Sequence, residues 1–159
     1  MKNISIGTLI GALLVPMLIG GISAALSSKA MILYKSMDKP ALSPPAWIFP
    51  VVWTILYLMM GLASYFVLIS EVNTRSKAMA LIIYAIQLLM NFMWSILFFN
   101  LGMYLLSFIW LLIMWAITIV CAMRFYNISR TATYLLIPYI LWLTFAAYLN
   151  FGSYLLNRK

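Results

Sequence analysis

The chain has 159 residues, of which 67% are hydrophobic and 8% charged, with 10 Lys/Arg against 2 Asp/Glu and a mean hydropathy of +1.09. A soluble domain needs roughly 25% charged residues to cover its surface, so water is excluded as the main solvent. The absence of histidine excludes zinc-hydrolase, Ser-His-Asp and histidine-ligated haem chemistry, and the single cysteine, Cys121, excludes an intramolecular disulfide or a cysteine metal site.

The sparse charges divide the chain. Lys2 and Lys29 bracket a charge-free stretch, as do Lys39 and Glu71, Lys77 and Arg124, and Arg130 and Arg158. A bilayer core about 30 Å thick takes roughly 20 apolar helical residues. The first stretch predicts a helix over 4–26. Lys2 and Ser23-Ala24-Ala25 imitate a secretory signal, but the apolar run is longer than a usual signal core, which favours a retained helix. Gly7 and Gly11, and Gly20 and Ala24, stand four residues apart, a spacing that lets helices approach closely within a bundle or a homodimer.

The connection 27–45 is the longest. Pro40, Pro44 and Pro45 predict a stiff, extended segment over 39–45, either a lid across one end of a bundle or a connector pinned at the interface. A second helix is expected over 46–69. The stretch between Lys77 and Arg124 is long enough for two spans, 78–99 and 104–123, separated by a polar turn at Asn100-Leu101-Gly102. A fifth helix is expected over 132–156. The fold class is therefore an all-α integral membrane protein, a five-transmembrane-helix bundle in one domain over 1–159, with the lipid bilayer as its solvent. Scattered basic residues place it at headgroups and exclude nucleic acid as a partner. Five fall at each end of the bundle (Lys2, Arg75, Lys77, Arg124 and Arg130 against Lys29, Lys35, Lys39, Arg158 and Lys159), so the charge rule does not orient it.

No ionisable acid or base lies inside a span, which argues against an ion-coupled pump. The spans carry aromatic and uncharged polar stripes instead. Trp53, Tyr57, Gly61 and Tyr65 share one helix face; Gln87, Asn91, Trp94, Ser95 and Phe98 share another; Tyr139, Trp142, Ala146, Leu149 and Asn150 share a third. Amides hidden from lipid need partners, so these faces point inward. They either hold helices together or line a cavity suited to a large, flat, mostly apolar ligand.

The run Pro44-Pro45-Ala46-Trp47-Ile48-Phe49-Pro50-Val51-Val52-Trp53-Thr54-Ile55-Leu56-Tyr57, followed by Met60-Gly61-Leu62-Ala63-Ser64-Tyr65, resembles the second-helix signature of the TspO/MBR family. Gln87-Leu88, Asn91, Trp94-Ser95, Phe98-Phe99, Pro138-Tyr139, Trp142, Phe145-Ala146 and Leu149-Asn150 extend the resemblance over nearly the whole chain. The resemblance implies a five-helix bundle, a homodimer, and a membrane receptor or sensor, and the short tail after Asn157 points to the cell membrane of a bacterium. It implies a cavity below the first loop that binds porphyrins such as protoporphyrin IX and haem, and drug-like hydrophobic ligands, as ligands rather than as a required cofactor or metal. Tyr34, Trp53, Asn91, Trp142 and Ala146 match by position, and Tyr57, Gln87, Trp94, Phe145 and Asn150 complete the candidate ligand-binding set. Two other activities follow from the resemblance: light- and oxygen-dependent porphyrin degradation, with Trp53 and Trp142 as candidate catalytic residues, and passive transport of hydrophobic metabolites. Leu33 and Leu42 stand where many members of the family carry lid aromatics, and Phe151 where the cholesterol-type segment carries tyrosine.

Overall fold

The computed structural model describes residues 5–27 and 29–158. Lys2, the start of the expected 4–26 helix, Ser28 and Lys159 lie outside them. Among the described residues there are five helices long and apolar enough to cross a membrane. α1 spans Ile6–Leu26, the short α2 spans Ala30–Ser36, and α3 spans Ile48–Leu68. α4 spans Thr74–Ser95 and continues as a π-helical turn over Ile96–Asn100, α5 spans Tyr104–Tyr126, and α6 spans Arg130–Asn157.

The termini have identifiable local causes. Ser5 accepts from the Thr8 amide, Asn73 from Ser76 and Ser129 from Ala132, each filling an orphan donor in a first turn. Lysines close two of the opposite ends. Lys77 Nζ donates to the carbonyls of Leu68 and Ser70 at the end of α3, and Lys39 Nζ to those of Tyr34, Lys35 and Met37 at the end of α2. Gly102, at φ +62°, makes the turn expected between the third and fourth spans.

Three expectations are corrected. The lid 27–45 is not a plain loop: α2 occupies its first half, because the apolar run 30–34 forms a turn that Lys39 caps. The segment 39–45 is not extended throughout: Leu42 takes φ +65°, a left-handed conformation that is unusual for a residue with a Cβ. The third span also begins earlier than 78, at Thr74, because Asn73 caps it and Lys77 carries its charge back to the preceding loop.

The five long helices form a ring in the order α1, α3, α6, α5, α4. α1 lies mainly on α3 and meets α4 over only a short seam. Gly61 allows the α1–α3 approach, since a Cβ there would fall 2.9 Å from both the Ala12 carbonyl oxygen and the Leu13 Cα. The core between the helices is apolar and aromatic, with Met60, Leu88, Leu111, Met114, Phe125, Leu136, Tyr139 and Leu143 almost fully buried. Ile10, Leu14, Leu18 and Ile22 of α1 are exposed, as befits a face that contacts lipid.

The lid is fastened to α6. Asn157 makes a two-way bond with the Asp38 backbone, accepting from its amide (3.1 Å) and donating to its carbonyl (2.8 Å). The Tyr148 hydroxyl donates to the Ala41 carbonyl at 2.7 Å, and the Pro40 ring sits where a Cβ of Gly152 would be.

Candidate ligand cavity

Beneath the lid lies a cavity of about 250 Å³ between α1, α3 and α4. Its aromatic wall is made by Trp53 and Tyr57 of α3, stacked with ring centroids 5.5 Å apart and an interplanar angle of 29°. Trp94 and Phe99 of α4 face it, and Tyr34 with Phe49 closes the lid side in an edge-on pair at 4.9 Å. α1 contributes only small residues, Gly20, Ser23, Ala24 and Ser27. Gly20 is required by the Tyr57 ring, which occupies the volume where a Cβ would stand.

A hydrogen-bonded line fixes the inner end. The Tyr57 hydroxyl donates to Asn91 Oδ1 at 2.7 Å, Asn91 Nδ2 donates to the Tyr139 hydroxyl at 2.9 Å, and that hydroxyl lies 3.8 Å from Met114 Sδ. Three helices are joined through one amide, and each polar atom is removed from lipid. On α1 and α4, the Ser23 and Ser95 hydroxyls bond to each other across the seam. None of the residues that line this cavity is charged. On the lid, partial burial raises the Tyr34 phenol above its ordinary pKa of 10.0, with Ser43 acting in the opposite direction.

The residues singled out by sequence fall into four groups. Tyr34, Trp53, Tyr57, Asn91 and Trp94 line this cavity together. Ala146 and Asn150 line a separate space of about 30 Å³, divided from it by the rings of Tyr34, Phe49, Trp94 and Phe99, which border both. The Asn150 amide is used internally, paired with the Ser107 hydroxyl at 3.2–3.3 Å; turned end for end, its oxygen accepts from Trp94 Nε1 at 3.0 Å and its nitrogen donates to the Tyr104 carbonyl at 2.9 Å. Trp142 and Phe145 line a bilayer-facing groove of about 500 Å³ between α3 and α6. Trp142 also touches the cavity's aromatics, lying edge-on to Phe49 (6.0 Å) and to Trp53 (6.5 Å). Gln87 lines none of these spaces; among the described residues its Nε2 reaches only Met60 Sδ, at 3.7 Å.

Sequence reasoning missed Phe49, Phe99 and the α1 residues Ser23 and Ser27. Phe49 stands four residues before Trp53 on the same helix face, and that spacing was the available signal. Among the described residues no cluster of three or more His, Cys, Asp or Glu could hold a metal ion.

Comparison with known proteins agrees with this architecture. The chain is 37% identical over 124 residues to the tryptophan-rich protein TspO of Chlorobaculum tepidum, covering 78% of each chain. It is 34% identical over 124 residues to a tryptophan-rich sensory protein of Cereibacter sphaeroides, covering 78% of this chain and 76% of that one. It is 37% identical over 127 residues to the translocator protein of Ovis aries, covering 79% and 75%. The family model for TspO/MBR matches residues 12–155, a range that includes every residue lining the cavity. This chain is a multi-pass integral membrane protein and belongs to the TspO/MBR family.

Proposed function

We propose that the protein is a membrane receptor for a flat, hydrophobic tetrapyrrole, held against the stacked Trp53–Tyr57 pair. The observation that carries this reading is the aromatic wall itself. Two stacked rings on α3 line an uncharged cavity together with Trp94 and Phe99, a lining that favours a planar π-system over an aliphatic chain. Asn91 fixes the wall, because its amide holds both tyrosine hydroxyls. The cavity's 250 Å³ lies just below the roughly 300–1,000 Å³ usual for drug-sized ligands. A macrocycle therefore enters with displacement of the Tyr34–Phe49 pair, which also opens the way to the space beside Ala146.

The test is a titration of the purified protein in detergent with protoporphyrin IX, in the dark, following tryptophan fluorescence. Saturable quenching that is weakened about ten-fold in Trp53→Leu supports the reading, since loss of base-type stacking on one ring costs about 1–3 kcal/mol. Absence of saturable quenching in the wild type overturns it. Illumination of the saturated complex then distinguishes a receptor, which returns the porphyrin intact, from a degrading enzyme.

A further inference from the structure

We propose that the end of the bundle away from the lid carries a binding site for the phosphate of an anionic phospholipid, centred on Arg124. The site is separate from the cavity beneath the lid and does not depend on the tetrapyrrole reading.

Between the connection from α3 to α4 and the end of α5 lies a second cavity, of about 260 Å³. Its lining includes four side chains that can donate hydrogen bonds, Asn73, Ser76, Arg124 and Asn127, and no carboxylate. All four residues are exposed, so their polar groups are within reach of a ligand. Asn73 uses its Oδ1 to accept from the Ser76 amide at 2.8 Å, which leaves its Nδ2 over. Among the described residues, the Arg124 guanidinium, the Asn127 amide and the Ser76 hydroxyl make no hydrogen bond or ion pair.

The other cations at this end are committed or stand outside the cavity. Lys77 Nζ donates to the Leu68 and Ser70 carbonyls, and the Arg130 guanidinium lies 5.5 Å from the centroid of the Tyr126 ring. Arg75 does not line the cavity. Among the described residues this end sets four cations against one acid, Glu71, so its field favours an anion.

Depth decides which anion. The cavity stands where α4 begins and α5 ends, and the ends of membrane spans lie among the lipid headgroups. A planar guanidinium there can pair with two phosphate oxygens at once. The rest of the lining is apolar. Ile128 belongs to it, and Met79, 44% exposed, lies one turn further into α4 than Ser76. A free phosphate gains nothing from such a face, whereas the glycerol and first acyl carbons of a lipid bury it.

The test follows the melting temperature of the whole protein in detergent as ligand is added. Dioleoyl phosphatidylglycerol is compared with dioleoylglycerol, which has the same chains and no phosphate, and with sodium phosphate. Wild type is expected to be stabilised saturably by phosphatidylglycerol and by neither of the others. Arg124→Gln should need about ten-fold more phosphatidylglycerol for the same shift. Arg75→Gln, the same loss of charge outside the cavity, should match wild type. Asn127→Asp places a carboxylate in the exposed lining, should weaken binding likewise, and serves if Arg124→Gln does not fold. No stabilisation of wild type, or equal titrations of wild type and the two lining variants, overturns the site. Equal losses in Arg124→Gln and Arg75→Gln overturn it too, as does equal stabilisation by dioleoylglycerol. An Arg124-dependent response to sodium phosphate as strong as that to the lipid overturns the lipid as the occupant.

Discussion

The Tyr57 hydroxyl and Asn91 Oδ1, 2.7 Å apart, tie the aromatic wall on α3 to α4 in the buried interior of the bundle. The other end of the same amide holds Tyr139 of α6. Replacing Asn91 with alanine strands both tyrosine hydroxyls. The expected cost is about 1–3 kcal/mol for each buried group left unpaired, read as a lowered Tm in detergent. An unchanged Tm would show that the amide is not holding the wall.

Gly61 brings α1 onto α3 by backbone contact, with no flexible side chain to yield. Gly61→Ala is expected to destabilise the bundle by about 1–3 kcal/mol through overpacking. Gly11→Ala, where a Cβ meets nothing within 4 Å, serves as the neutral control. Equal melting temperatures for the two variants would contradict the close approach.

The lid depends on Asn157. Asn157→Ala removes both bonds to the Asp38 backbone, and amide exchange at Asp38 and through the 39–44 segment should quicken by several-fold while the ring of long helices keeps its protection. Uniform acceleration everywhere would mean that this contact supports the bundle rather than the lid.

Tyr34 gives the lid a pH response at the alkaline end. Its folded pKa is raised by partial burial, so the neutral phenol is the form the folded lid favours. The contribution is fully present below the ordinary tyrosine pKa of 10.0 and is lost as pH rises through the higher folded value. The phenol is the donor to the Pro44 carbonyl, so its ionisation breaks that bond. Lid opening, followed by limited proteolysis at 39–44, is expected to increase above pH 10 in the wild type and to lose that dependence in Tyr34→Phe.

The spans were legible because charge is so expensive in lipid that its absence outlines the helices. Their ends were less so. Lys77 was read as a boundary, yet it sits inside α4 with its amine folded back onto the carbonyls of α3. A long side chain separates the position of its charge from that of its backbone. α2 was missed because seven residues held by a lysine cap leave no periodic signal.

For the cavity, periodicity identified the inward faces of α3 and α4 but not depth along them. Gln87 and Asn91 share a stripe one turn apart, and only Asn91 reaches the cavity. The face of a helix is set by spacing, whereas its depth depends on where neighbouring helices diverge. Gly20 and Ala24 were read as small packing positions, and for Gly20 that is its role, whereas Ser27 was placed at the start of the connection 27–45. That Ser27 lines the cavity is a property of the assembled bundle.

The π-helical turn over Ile96–Asn100, closed by the Leu101 amide on the Ile96 carbonyl at 3.0 Å, sets the phase of everything that follows Ser95. A wider turn holds one residue more than the α-helix would, so adjacent phenylalanines can both meet one indole: Phe98 stacks on Trp94 at 5.4 Å and Phe99 stands edge-on at 6.0 Å. Removing a single residue from 96–100 would leave composition and hydropathy almost untouched. It would also rotate the tail of the helix, withdraw one phenyl from the partition between the two cavities, and join them without any ligand. In this protein one panel of the wall between the two chambers is placed by helical pitch.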